Sequence, residues 1–310
     1  MSKFENLLAL FPGQGSQVVG MGKSFFDNFE IAKKMFAQAD EALGYSLSKL
    51  CFEGPETDLT LTQNTQPAIL TVSSIAFQLL NEKLNGELKP VAAAGHSLGE
   101  YSALVAAGAL DFQEAVLLVH KRGKYMQEAV PAGTGKMLAV LKKEPDEIQA
   151  AINKVEDGIV QIANINSPGQ IVVAGEKNAV DKFATELGNA KIIELPVSAP
   201  FHCSLMKPAE EKLAVDLDAT TFKDCNFPVY ANYTAEPVLK GLDARELLKK
   251  QVCGTVRWVE SMQAVASQKN ISNAIEFGAG KVLVGLLKRI EKDITGFSVS
   301  NDLELSSLLS

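Results

Sequence analysis

Cysteine is scarce: Cys51, Cys203, Cys225 and Cys253 are the only four in 310 residues, and no two form a CxxC pair. That scatter argues against a structural zinc site or a dithiol redox motif and leaves ordinary free thiols. Long apolar runs are missing as well. None approaches the roughly 20 residues that a bilayer-spanning helix needs. The opening MSKFENLLALFPGQG is too short in apolar residues for a signal peptide and is broken by Pro12 and Gly13. The expected compartment is cytoplasmic, with no membrane partner. Surplus positive charge is also absent. A net charge of -7 speaks against nucleic-acid binding, which draws on Lys and Arg, although Lys121–Arg122 with Lys124 and Lys288–Arg289 with Lys292 are local basic patches. Repeats, low-complexity tracts and an excess of Pro or Gly are not found, so disorder has no compositional support. With 46% hydrophobic residues and a mean hydropathy of +0.06, the chain has enough apolar matter for one large domain or two smaller ones.

The patterning alternates strands and helices. Leu7–Phe11 reads as a buried strand, followed by helical patterns around 24–43 and 67–84. Val91–Gly95 reads as a strand running directly into a helix over Leu98–Ala107, and Asp111 as the cap of a helix reaching about Ala129. The rhythm then changes. Strand Lys136–Leu141, helix Pro145–Val155, strands Gly158–Ala163 and Gln170–Ala174 about the turn Asn166-Ser167-Pro168-Gly169, helix Lys177–Leu187 and strand Lys191–Leu195 give the order βαββαβ of a ferredoxin-like unit. Beyond it come a helix after Pro208, a strand at Val229–Ala231, helices near 243–252 and 258–268, and strand Ala274–Phe277 entering another helix through Gly278-Ala279-Gly280. The expected architecture is α/β: a parallel-sheet domain, 1–129 with 199–310, interrupted by a small subdomain at 130–198.

Gly95-His96-Ser97-Leu98-Gly99 fits G-x-S-x-G, the nucleophile elbow. A chain of this length matches so loose a pattern by accident roughly one time in ten. The apolar strand before it and the small-residue helix after it are what an elbow needs. Such a turn aims the Ser97 hydroxyl into a cleft and the Leu98 amide at developing negative charge. A serine hydroxyl needs a base, and three histidines are available. His96 adjoins the serine and should point away from it. His120 lies in an apolar helical pattern, where a satisfied boundary histidine is common. His202, within Ser198-Ala199-Pro200-Phe201-His202-Cys203, sits at the expected domain junction, where clefts form. Elimination makes His202 the best base, while the residues alone leave it equally a plain loop histidine. Among acidic residues only Glu194 is near it in sequence, so the group that orients it stays open.

Together these segments resemble the malonyl-CoA:acyl carrier protein transacylases of fatty-acid synthesis, from residue 6 to the far end. The resemblance is carried by Phe11-Pro12-Gly13-Gln14-Gly15-Ser16-Gln17, by Gly95-His96-Ser97-Leu98-Gly99-Glu100-Tyr101, by Arg122-Gly123 with Met126-Gln127, by His202, and by Gly278-Ala279-Gly280-Lys281-Val282-Leu283. It implies an α/β-hydrolase-like domain with a ferredoxin-like insert. It further implies that Ser97 is acylated with His202 as base and that malonyl passes in ping-pong order from malonyl-CoA to the phosphopantetheine of acyl carrier protein. Gln14 and the Leu98 amide would form the oxyanion hole, and Arg122 would pair with the free malonyl carboxylate. The backbone carbonyl of Gln251 would orient the histidine, so that a dyad replaces a triad. Read singly, Arg122 is more readily a surface helix arginine and Gln251 a solvent-facing helix residue, while Gln14 is as readily a loop glutamine. Phe201, beside the histidine, would crowd branched acyl groups such as methylmalonyl. No metal or redox cofactor is implied, and a monomer is expected.

Other readings fit less well. Gly13-Gln14-Gly15-Ser16-Gln17-Val18 has valine where a dinucleotide fingerprint needs its third glycine. Gln17 to Ser24 has glutamine where a P-loop needs its first glycine, and Gly278-Ala279-Gly280-Lys281 lacks both the earlier glycine and the following Ser or Thr. A serine hydrolase or thioesterase shares the elbow and base but gives the acyl group to water. A non-catalytic scaffold that binds carrier protein would make both dispensable. Since acyl carrier proteins are acidic and so is this chain, docking would need a local basic patch, for which Lys281, Lys288 and Arg289 are candidates.

Overall fold

The computed structural model describes residues 3–197, 199–268 and 270–310; Ser198, at the expected boundary of the insert, lies outside them. Among the described residues ten strands, β1 (Leu7–Phe11), β2 (Ala92–Gly95), β3 (Gly135–Leu141), β4 (Val160–Ser167), β5 (Gln170–Glu176), β6 (Lys191–Glu194), β7 (Val229–Tyr230), β8 (Pro237–Val238), β9 (Asn273–Phe277) and β10 (Thr295–Val299), form two sheets. The larger runs β10-β9-β1-β2-β7-β8 and is parallel except for the β7–β8 pair. The smaller runs β4-β5-β3-β6 and is antiparallel throughout. The protein is thus a mixed α/β fold built on a parallel sheet.

β1 and β2 contain almost nothing but apolar or small residues, and every one is buried, as central parallel strands covered on both faces require. Their period of two divides the core. Leu7, Ala9, Phe11 and Ala93 face one hydrophobic cluster, whereas Leu8, Leu10, Ala92 and Ala94 face another that holds Trp258 and Met262. In the smaller sheet, Leu138, Val140, Ile171 and Val173 pack under Val180 and Phe183 of the helix Lys177–Leu187.

Local signals place most element ends to within a few residues. Asp111 caps the helix Phe112–Glu128 by accepting from the Gln113 and Glu114 amides, and Pro168-Gly169 joins β4 to β5. The pattern at 24–43 is two helices, Lys23–Asn28 and Glu30–Leu43, broken at the extended residue Phe29. The helix expected from residue 67 starts at Thr62 and carries Pro67 inside it. Proline has no N–H for the carbonyl of Gln63 four residues earlier. The Nδ1 of His120 donates to that carbonyl at 2.8 Å, so this histidine satisfies a group that the proline orphans. β8, β10 and the last helix, Asp302–Leu309, escape the sequence reading; β8 is two residues long and β10 a half-exposed edge strand.

The smaller sheet is tied to the segment before the helix Trp258–Gln268 by two main-chain bonds and one side-chain bond. Ile165 N donates to Val256 O at 3.0 Å, Val256 N donates to Ala163 O at 2.8 Å, and Thr255 Oγ1 donates to Ile162 O at 2.7 Å. β4 is thereby fastened to the segment leading into the helix Trp258–Gln268, which packs on the larger sheet. No helix among the described residues is long and apolar enough to cross a membrane.

Candidate active site

The glycines of the elbow are dictated by contact. A Cβ at Gly95 would strike the carbonyl of Gly99, and a Cβ at Gly99 would strike the carbonyl of Phe11. Between them Ser97 takes a φ of 52°, the left-handed region that side chains disfavour. It stands at the end of β2, ahead of the helix Gly99–Ala106. Replacing Gly99 by alanine should cost on the order of 3 kcal/mol, because the obstacle is a backbone carbonyl that cannot step aside. Urea unfolding of Gly99→Ala measures this, and an unchanged midpoint would show that the turn has slack.

His202 also has a positive φ, 58°, and its Nε2 lies 2.7 Å from Ser97 Oγ. Its Nδ1 lies 3.0 Å from the carbonyl oxygen of Gln251. A backbone carbonyl only accepts, so Nδ1 carries the hydrogen and Nε2 presents its lone pair to the serine hydroxyl. Burial, and next the nearby Arg122 charge, push the His202 pKa down to about 3, so the ring is neutral at physiological pH. Arg122 is buried. Its Nη1 donates to Gln66 Oε1 at 2.8 Å, and its Nη2 donates to Gln251 Oε1 at 3.0 Å and to Ser97 Oγ at 3.1 Å. All of these acceptors are neutral. Gly123 next to it admits the Thr62 carbonyl where a Cβ would collide, so the two helices meet closely enough for Arg122 to reach Gln66. Neither Arg122 nor Gln251 faces solvent.

Ser97, His202, Arg122, Gln14 and Leu98 line one cavity of about 110 Å³, walled by Met126, Met137, Leu195, Val197 and Phe201. Gln251 stands behind His202 and Arg122. The structure therefore gathers all six residues singled out from the sequence around one point. His96 turns aside, its Nε2 2.8 Å from Asn166 Oδ1 and its ring near Trp258. Among the described residues, no cluster of three or more His, Cys, Asp or Glu is arranged to hold a metal.

Residues 9–289 match the acyl transferase domain family. The malonyl CoA-acyl carrier protein transacylase of Bacillus subtilis (strain 168) is 46% identical over 297 residues, which span 94% of this chain and 92% of the relative. The chain belongs to the malonyl CoA-acyl carrier protein transacylase family. Solved structures agree. An acyl carrier protein S-malonyltransferase from Vibrio cholerae superposes with a TM-score of 0.94 at 40% identity, covering 98% of this chain and all of that one. A malonyl-transacylase solved in complex with its type II PKS acyl-carrier protein gives a TM-score of 0.94 at 41% identity, covering 98% and 99%.

In this transacylase-family chain three buried polar groups at the site have no role in the sequence reading. Gln66 holds Arg122 as described. Asn232 accepts from Ser97 N through Oδ1 at 2.6 Å and donates from Nδ2 to Gly95 O at 2.7 Å, bracing both limbs of the elbow. Glu100 Oε2 accepts from Asn232 N at 2.9 Å and from Gln251 Nε2 at 2.7 Å. One signal for Asn232 was available. It follows the end of a parallel strand, β7, which neighbours β2, and sites in such sheets collect at strand ends.

Proposed function

We propose that this chain transfers malonyl from malonyl-CoA to the phosphopantetheine thiol of acyl carrier protein through a malonyl ester on Ser97, supplying extender units for fatty-acid synthesis in the cytoplasm. His202 Nε2 takes the hydroxyl proton as Oγ attacks the thioester carbon. The oxyanion forms between the Leu98 amide, at the start of a helix, and the Gln14 side chain. The intermediate collapses, the C–S bond breaks, and the CoA sulfur leaves with the proton from His202. The carrier thiol then enters and the steps run in reverse. The Gln251 carbonyl fixes the imidazole tautomer, so a Ser–His dyad does the work of a triad. We read the frame as an α/β-hydrolase-like domain (1–129 and 199–310) with a ferredoxin-like insert (130–198), the order β4-β5-β3-β6 supporting the latter. The chemistry needs no metal or redox cofactor.

One observation carries the acyl-group assignment: the buried Arg122 guanidinium bonds only neutral oxygens, and one of them is the Ser97 hydroxyl. The nearby Glu100 carboxylate is linked to it only through Gln251, and a carboxylate one methylene beyond an ester carbonyl on Ser97 would give the buried cation a direct charged partner. The small cavity suits a short acyl group. Intact mass after mixing with malonyl-CoA should show one malonyl adduct that Ser97→Ala lacks and that moves to holo carrier protein when this is added. Release as free malonate would instead favour a hydrolase, and no adduct from any thioester a binding scaffold.

A further inference from the structure

We propose that Glu100 is a positioning residue for the nucleophile, its carboxylate holding Gln251 and Asn232 and through them both members of the Ser97–His202 pair. The proposal rests on Ser97 being the nucleophile. The side chain is 2% exposed and, through one oxygen, anchors the two groups just named. Each anchored residue reaches the reacting atoms by a separate route. Gln251 offers its carbonyl to His202 Nδ1, its Nε2 to the Ser97 carbonyl at 2.9 Å and its Oε1 to Arg122. Asn232 grips the amide of Ser97 and the carbonyl of Gly95. The left-handed turn at Ser97 and the left-handed His202 are thus held from a single buried anchor, and strained backbone persists only where its surroundings over-determine it. Among the described residues no carboxylate is hydrogen-bonded to His202; the acid acts two bonds of the network away.

Burial pushes the Glu100 pKa up to about 7, against the Asn232 and Gln251 hydrogen bonds and the Arg122 charge, which lower it. The charged or titratable groups facing it are Arg122 on the helix Phe112–Glu128 and Tyr101 on its own helix. Both bonds to Oε2 come from N–H donors, so the ionised form is the one that binds them well. As pH falls through about 7 the carboxylate is protonated, its grip weakens and Ser97 should lose reactivity. His202 itself protonates only near pH 3, so the two losses are well separated.

The test reads Ser97 reactivity without any acyl substrate. A fluorophosphonate labels the serine as the Oγ–P bond forms, fluoride leaves and the hydroxyl proton passes to His202. For the wild type the labelling rate should fall with an acid limb near pH 7. Glu100→Gln keeps an acceptor oxygen but cannot ionise; it should label roughly 10- to 100-fold more slowly at pH 8 and show no limb near 7. Glu100→Asp, still ionisable, should regain part of the rate and the limb. A wild-type rate flat between pH 5 and 8, or a Glu100→Gln protein that labels at the wild-type rate with the limb intact, overturns the proposal. A flat wild-type profile overturns the proposal even if the variants do not fold, and a limb is assigned to Glu100 by its loss in Glu100→Gln and its return in Glu100→Asp. Phosphonate labelling as described, together with failure of malonyl-CoA to acylate Ser97, would overturn the malonyl reading and leave the Glu100 proposal standing.

Discussion

Replacing His202 by alanine should slow acylation of Ser97 by malonyl-CoA by roughly 10⁴- to 10⁶-fold, the scale seen when one member of a nucleophile–base pair is removed. The size follows from the geometry. The imidazole makes the short contact with the hydroxyl, and Arg122, which also reaches the hydroxyl oxygen, is a donor that cannot take a proton. Once the imidazole is gone, nothing beside Ser97 accepts its hydrogen, and water has to. Single-turnover mass spectrometry of the acyl-enzyme measures the rate directly, and added imidazole should restore part of it by occupying the vacated space. A fall of less than about tenfold would mean that another group serves as base.

Arg122→Ala should produce the second large effect, a loss of roughly 10²- to 10³-fold in kcat/KM for malonyl-CoA, or about 3–4 kcal/mol, the scale of stripping one partner from a buried charge pair. Acetyl-CoA, which has no carboxylate to strand, should lose little. Arg122→Lys should not rescue the enzyme. An ammonium cannot donate simultaneously and in one plane towards Gln66, Gln251 and an incoming carboxylate, as the guanidinium fork does. The informative number is the ratio of malonyl to acetyl transfer, because a general loosening of the site would depress both. If the two substrates fall together, Arg122 supports the fold of the site and does not read the acyl group.

The sequence disclosed the parts of this site that are local. An elbow is legible because its motif is contiguous: Gly95 answers to Gly99 four residues on, although Gly99 answers to the distant carbonyl of Phe11. Asp111 and Pro168-Gly169 act on their own immediate backbone in the same way. Arg122 and Gln251 are different. Each lies on a helix whose pattern would equally place it towards water, and only the packing of helix Thr62–Lys83 against helix Phe112–Glu128 decides that Arg122 is inside. Glu100 was in view as part of a motif, yet its two partners are more than 130 positions away along the chain, and no spacing rule connects them. The helix expected from residue 67 in fact begins five residues earlier, at Thr62. A proline is best tolerated in the first turn of a helix; this one sits beyond it, and the carbonyl it leaves unpaired is met by His120 from another helix.

The stitch between β4 and Val256 has a consequence for traffic. Any motion that spreads the two sheets at this point must rupture the Ile165–Val256, Val256–Ala163 and Thr255–Ile162 bonds. The frame behaves there as a welded joint, not a jaw. In a ping-pong cycle the departing CoA and the arriving carrier arm would then use the same doorway in turn, each finding its outline already cut. On this side of the chamber, selection of cargo would then rest on shape and charge already set by the joint.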